Sequence, residues 1–309
     1  MHLMLIMVSR HSDSEIMSAL GIDSKTLQMF KKVQGKTLKE AKALAKKKTG
    51  KITVLGISGS ARDEFDMSQE SSSSEALLKA CLKKCEKLGA KTELVPLRKF
   101  SIQHCKACYS TVNTQCHFYC TCYPKGTPQG DDMSNKLYDK ILKADAIIFA
   151  TPVNNFKIST LMAAFIDRCI SLDGSLSPAD PKSPKNRELN KKHMQFIELT
   201  ADSKIPGSGM LKRFTGKTAG IITTSHEEGA SMAISSLFMT LNHYGMSFPP
   251  FSNSYAMASI CNATSKDKPI VLSECNVEEV ELLAENVMNS ARILRKEGPN
   301  KWVFDNSKN

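Results

Sequence analysis

No apolar run in this chain approaches the roughly 18 residues that a membrane-crossing helix requires. A spanning segment is therefore not expected. The opening residues Met1-His2-Leu3-Met4-Leu5-Ile6-Met7-Val8 are apolar, but they lack a basic leading segment and a small-residue cleavage site. Secretion is disfavoured on that ground, and the expected location is the cytoplasm. Ten cysteines in 309 residues are too few for a disulfide-stapled miniature fold, and a chain of this length does not need one. The dinucleotide fingerprint requires three glycines at fixed spacing, and only Gly56 and Gly59 occur where it would sit. Gly216-Lys217-Thr218 has the ending of a phosphate-binding P-loop, yet the glycine required five positions earlier is Leu211, and the triplet leads into a strand. An ATPase of that type is not expected. No internal repeat is visible.

The hydrophobic share of 41% and the charged share of 24% are ordinary for a globular protein. The formal net charge of +11 suits an anionic partner, and residues 1–50 carry ten Lys or Arg against four Asp or Glu. No aromatic platform is interleaved with these basic residues, so a solvated helix face is expected there and nucleic acid is not the expected partner. The length favours one large domain with an extension. Residues 1–50 form a basic helical extension, 51–298 the main domain and 299–309 a tail. The main domain carries a cysteine-rich loop at 104–123 and a loop insertion at 171–216.

Periodicity predicts the elements. Thr37-Leu38-Lys39-Glu40 has the form of a capping box, which predicts a helix from Thr37 that Gly50 ends. Ile52 to Ile57 is a short β-branched run ending in a glycine and serine loop, as a buried parallel strand should. A helix follows over 75–88, with Leu78, Cys81, Leu82, Cys85 and Leu88 on one stripe, and then a strand over Lys91–Leu97. Further elements are a helix near 132–143, a strand over Ala146–Ala150 and a helix over 158–170. Met194–Leu199 fits a strand of the insertion or of the sheet. Thr218–Thr224 reads as the fourth core strand, followed by a helix near 230–244, a short segment around Ser247–Phe251 and a final helix from Val277. Strands alternating with helices imply a parallel sheet covered on both faces.

Two loops carry the chemistry. Gly56-Ile57-Ser58-Gly59-Ser60-Ala61-Arg62 directly follows the first strand, and Ser71-Ser72-Ser73-Ser74 directly precedes the next helix. Ligands of open α/β sheets bind outside the carboxyl ends of the strands. Small residues let backbone N–H groups close around a phosphate, the hydroxyls donate, the helix start adds positive potential, and Arg62 can pair with the charge.

The strand and Gly59-Ser60-Ala61-Arg62, with the serine-rich helix start Ser72-Ser73-Ser74-Glu75, resemble the phosphate loop of the NAD(P)H-dependent FMN reductases and iron–sulfur flavoproteins. That loop has the form Gly-Ser-Pro-Arg and then Gly-Asn-Thr-Glu. Asp131-Asp132-Met133 with Ile141 to Phe149 is similar to the family's stretch after its cysteine loop. Thr151-Pro152-Val153, ahead of Ile158-Ser159 and Ala164-Phe165-Ile166-Asp167-Arg168, is similar to its flavin-ring loop and following helix. The chain departs in having Ala61 for proline, about nine residues between Arg62 and Ser72, and Asn154 where an aromatic is usual. The resemblance implies a flavodoxin-like three-layer α/β sandwich with a five-stranded parallel sheet in the order 2-1-3-4-5. It also implies FMN bound by Ser58, Ser60, Arg62, Ser73, Ser74, Pro152, Val153, Asn154, Asn155, Phe156, Thr224, Ser225, His226 and Gly229. A lone loop histidine such as His226 is more often a solvated residue.

Cys105, Cys108, Cys116, Cys120 and Cys122 crowd into 18 residues, whereas Cys81, Cys85 and Cys169 fall on apolar helix faces and read as core. Iron–sulfur flavoproteins place their cysteine motif at this point. A [4Fe–4S] cluster on Cys105, Cys108, Cys116 and Cys120, with Cys122 as a substitute, is one reading. Zinc bound with His104 or His117 is a second, and unliganded thiols a third. The function implied by the resemblance is hydride transfer from NAD(P)H to FMN and on to an unidentified acceptor, in a homodimer or homotetramer. An electron-transfer flavoprotein using the cluster and a non-enzymatic metal-binding module are the alternatives.

Overall fold

The computed structural model describes residues 11–298 apart from 47, 64, 66, 68, 109–115, 127–129, 175, 203, 226, 227 and 259–263. Two helices lead the chain, α1 (Asp13–Leu20) and α2 (Ser24–Leu44). The alternating part runs β1 (Thr53–Ser58), α3 (Ser73–Lys87), β2 (Lys91–Pro96), α4 (Tyr138–Lys143), β3 (Ala146–Asn154), β4 (Lys157–Ile158) and α5 (Thr160–Cys169). It continues with α6 (Arg187–Thr200), β5 (Thr218–Ser225), α7 (Ala230–His243), β6 (Asn253–Met257), α8 (Thr264–Val271) and α9 (Glu274–Glu297).

The sheet order is β2-β1-β3-β5-β6, all parallel, with the short β4 turned back antiparallel on β3. Leaving β4 aside, this is the flavodoxin-like order. Side chains alternate across the strands. Leu55, Ile57, Ile147, Phe149 and Ile221 face a core built with α4, α5 and α7. Val54, Ile148, Ala150 and Ile222 face one built with α3 and α9. Burial on both faces explains the continuous apolar runs of β1 and β3.

Several expectations are corrected. Thr37 does not cap a helix: it lies inside α2, and its hydroxyl donates to the Val33 carbonyl at 3.2 Å. The inward series Leu27, Phe30, Val33, Thr37 and Ala41 runs unbroken through it, and the cap is Asp23, whose carboxylate accepts from the Thr26 amide at 2.8 Å. Met194–Leu199 is not a strand but the second half of α6, which buries Asn190, His193, Phe196, Ile197 and Thr200 at helical spacing. The edge strand is Asn253–Met257, while Ser247 makes only an isolated bridge to Thr218.

The leading helices and the insertion share a third cluster, in which Ile16, Leu27 and Phe30 meet Leu176, Phe196 and Ile197. The same helices are tied on by Gln34, whose amide donates to the Ser208 carbonyl at 2.7 Å. Among the described residues no helix is long and apolar enough to cross a membrane.

Candidate functional site

The loop leaving β1 is pressed against the start of α5. The Gly59 amide donates to the Ala150 carbonyl at 2.7 Å, and its carbonyl accepts from the Ser159 hydroxyl at 2.6 Å. A Cβ at Gly59 would stand 2.9 Å from the Met162 Cβ, so only glycine fits this approach. The following turn is held by the Arg62 amide, which donates to the Ser60 hydroxyl oxygen at 3.2 Å. The Ser72 hydroxyl caps α3 by accepting from the Glu75 amide at 3.2 Å, and it meets the Ser74 hydroxyl at 3.0 Å. Ser73 occupies the first helical position. The loop hydroxyls and the N-terminus of α3 thus lie at one edge of the sheet, and donors of this kind suit a phosphate.

Ser58 is buried, as are Ser60 and Ser74, and its hydroxyl donates to the Glu75 carboxylate at 3.0 Å. Glu75 also accepts from Arg98 and pairs with Lys79 at 3.0 Å. Burial pushes the Glu75 pKa up, but the hydrogen bonds from Arg98, Lys79 and Ser58 outweigh it and hold the group at about 2. Glu75 therefore stays ionised and fixes the end of β1 to the first turn of α3.

At the same edge, β3 turns into β4 through Asn155 and Phe156, both left-handed with φ 49° and 63°. Two positive φ values are what a two-residue hairpin of the type I′ class needs. Gly229, at φ 126°, lies against this turn: a Cβ there would stand 2.7 Å from the Phe156 Cα. The structure so gathers Pro152, Val153, Asn154, Asn155 and Phe156 beside the end of β5, where Thr224 and Ser225 lie. Phe156 is 53% exposed, an open aromatic two positions after the expected one. His226 lies outside the described residues.

Cys105, Cys108, Cys116, Cys120 and Cys122 line one cavity, together with Tyr123 and Arg168. No disulfide joins the described cysteines. Cys122, expected only as a substitute, hydrogen-bonds both Cys108 and Cys120. The bond from Cys122 lowers the Cys108 pKa, whereas burial and the neighbouring thiols push Cys116 up to about 12. Among the described residues, however, no three His, Cys, Asp or Glu side chains are drawn into metal-binding geometry. Neither His104 nor His117 lines the cavity. The His117 Nδ1 is 2.6 Å from the Thr121 hydroxyl, and burial lowers its pKa to about 4.

Arg168 anchors the cavity wall. Its guanidinium lies over the Tyr123 ring, 4.6 Å from the centroid, while the Tyr123 hydroxyl donates to the His104 carbonyl at 3.0 Å. Ser159 caps α5 beside Gly59, and Arg168 stands in its last turn, so about 14 Å of helix separates the two sites, at ~1.5 Å per residue.

Three residues have roles that the sequence reading does not assign. Glu75 carries a local signal, since a glutamate three residues after a capping serine is a capping pattern. Lys268 of α8 donates to the Ser71 hydroxyl at 3.0 Å and brings a cation to the serine run, 197 residues away in sequence. Arg213 reaches the cysteine loop from the insertion. The last two have no local signature.

The NADPH-dependent FMN reductase family matches residues 52–259. A curated relative, an iron–sulfur flavoprotein of Archaeoglobus fulgidus, is 31% identical over 120 residues, which are 38% of this chain and 51% of that protein. The match thus spans about half of the relative's length. Among solved structures, RosB with a bound 8-demethyl-8-formylriboflavin-5′-phosphate intermediate is similar at a TM-score of 0.50 and 17% identity, covering 79% of this chain and 81% of that one. At that identity the likeness is one of fold. A flavodoxin from the domain Archaea has a TM-score of 0.41 and 9% identity over 78% of this chain and 99% of its own.

Proposed function

This chain belongs to the NADPH-dependent FMN reductase family, and from that premise we propose that it binds FMN at the carboxyl edge of its sheet, takes hydride from NAD(P)H and passes electrons to an acceptor. The observation that supports this reading is the turn leaving β1, held against α5 at Gly59 and tied to the first turn of α3 by Ser58 and Glu75. Bound flavin supplies the hydride and electron chemistry itself. The chain binds and orients it. Ser60, Arg62, Ser73 and Ser74 hold the phosphate, while Ser58 acts through Glu75 to fix the loop. The hairpin residues Pro152 to Phe156, with Thr224, Ser225, His226 and Gly229, border the ring. No side chain is assigned as a general acid or base.

A second reading is favoured by the cavity shared by five thiols, and by the iron–sulfur flavoprotein among the relatives. In it, four of Cys105, Cys108, Cys116, Cys120 and Cys122 hold a [4Fe–4S] cluster that exchanges electrons with the flavin. The donor chemistry fits such a cluster, although the thiols are not drawn together as a ligand set. Assembly into a homodimer or homotetramer belongs to the first proposal.

Anaerobically purified protein tests both readings in one sample. The first expects a flavin spectrum with steady oxidation of NADH or NADPH, and the second a broad iron–sulfur absorbance with iron and sulfide present. Colourless protein that takes up no added FMN overturns the first.

A further inference from the structure

The basic leading helices are not peripheral to the cysteine loop. Arg213 is 1% exposed, and a buried guanidinium must find partners for its charge and its donors. Nε and Nη2 donate to the two carboxylate oxygens of Glu40 on α2, at 2.7 and 2.9 Å, and Nη1 donates to the Leu211 carbonyl at 3.3 Å. The flat face of the same group covers the Phe118 ring, 4.2 Å from its centroid. Phe118 sits midway between Cys116 and Cys120.

Other contacts also hold that segment among the described residues. The Phe118 amide donates to the Leu176 carbonyl at 2.9 Å, and the Ser171 hydroxyl donates to the His117 carbonyl at 2.6 Å. Beyond the ring lie Tyr119, stacked at 4.2 Å, and Tyr138, edge-on at 5.7 Å. The Tyr138 hydroxyl donates to the carbonyl of Arg168, the residue that walls the cavity. A chain of contacts therefore runs from Glu40 through Arg213 and Phe118 to the thiols.

We propose that Arg213 is a positioning residue of the thiol cavity, and that through its fork to Glu40 the leading helices set the placement of Cys116 and Cys120. Arginine suits the role because it offers a bidentate edge to the carboxylate and a stacking face to the ring at once, which lysine cannot. If Glu40 loses its charge, the buried guanidinium loses its bidentate carboxylate, which weakens its hold over the Phe118 ring. The purpose of this placement rests on the second reading of function, whereas the placement itself does not.

The test is residue-resolved alkylation of the reduced full-length chain by iodoacetamide, followed by mass spectrometry, in the wild type and in Glu40→Gln, Arg213→Met and Arg213→Lys. Each variant is expected to accelerate labelling of Cys116 and Cys120 at least about tenfold, while the core thiols Cys81 and Cys85 stay slow and FMN affinity is unchanged. Unchanged labelling of Cys116 and Cys120 overturns the proposal. So does an acceleration shared equally by Cys81 and Cys85, which would report general loosening, and so does wild-type behaviour in Arg213→Lys. Wild-type protein without iron or sulfide would remove the cluster reading and leave the labelling contrast intact.

Discussion

Asp131 and Arg168 meet in a bidentate pair, Nη1 to Oδ1 at 2.7 Å and Nη2 to Oδ2 at 2.8 Å, and both side chains are 1% exposed. Asp131 precedes the α4 region and Arg168 ends α5, so the pair joins the two helical segments that flank β3. Asp131 also accepts from the amides of Gln103 and Ser134, and Arg168 donates to the Gln103 carbonyl at 2.9 Å. The start of the cysteine loop is thereby fixed to the main domain.

Breaking this pair should be costly, because removing one partner leaves the other charge buried. Asp131→Asn is expected to lower stability by about 3–5 kcal/mol. Asp131→Leu combined with Arg168→Met should cost much less, since no unpaired charge remains. Urea unfolding of the three proteins checks this ordering.

Two glycines at the candidate flavin site are required by close approach, and one elsewhere is not. Gly59→Ala brings a Cβ to 2.9 Å from Met162, and Gly229→Ala brings one to 2.7 Å from the Phe156 backbone at a φ of 126°. Each should destabilise by about 1–3 kcal/mol and weaken FMN binding about tenfold. Gly35 lies inside α2 with nothing within 4 Å of an added Cβ, so Gly35→Ala should stabilise by about 1 kcal/mol and leave flavin affinity unchanged. Thermal unfolding and flavin titration separate the cases.

Acid should loosen the loop after β1 through Glu75. Its pKa is held at about 2 in the fold against an ordinary 4.5. A depressed carboxylate contributes stability that is complete above the unfolded value and is lost as pH falls through the folded one. The window is therefore from about pH 4.5 down to about pH 2. Glu75→Gln should remove this component, flattening stability against pH across that window, as measured by denaturation at a series of pH values.

How far the sequence discloses this arrangement depends on burial. β1 and β3 are covered on both faces, so Val54, Leu55 and Ile57 and the stretch Ala146 to Ala150 stand out as apolar runs. β6 lies at the sheet edge and buries only Ser254 and Ala256 between exposed neighbours, which leaves no apolar signal. In α6 the inward positions include Asn190 and His193, so the apolar residues alone suggest a strand as readily as a helix. The loop after β1 is legible because local sequence sets its geometry. Lys268 and Arg213 arrive from distant segments, and only the assembled fold brings them to Ser71 and Phe118.

The central claim is that Ser60 and Arg62 grip the phosphate of FMN, and titration of flavin-depleted protein with FMN, followed by flavin fluorescence, addresses it directly. Hydrogen bonds to a charged group contribute about 1.5–3 kcal/mol each, so the double variant Ser60→Ala with Arg62→Ala should bind FMN at least about a hundredfold more weakly than the wild type. Its affinity for riboflavin, which has no phosphate, should be unchanged. Equal FMN affinity in the two proteins would contradict the account.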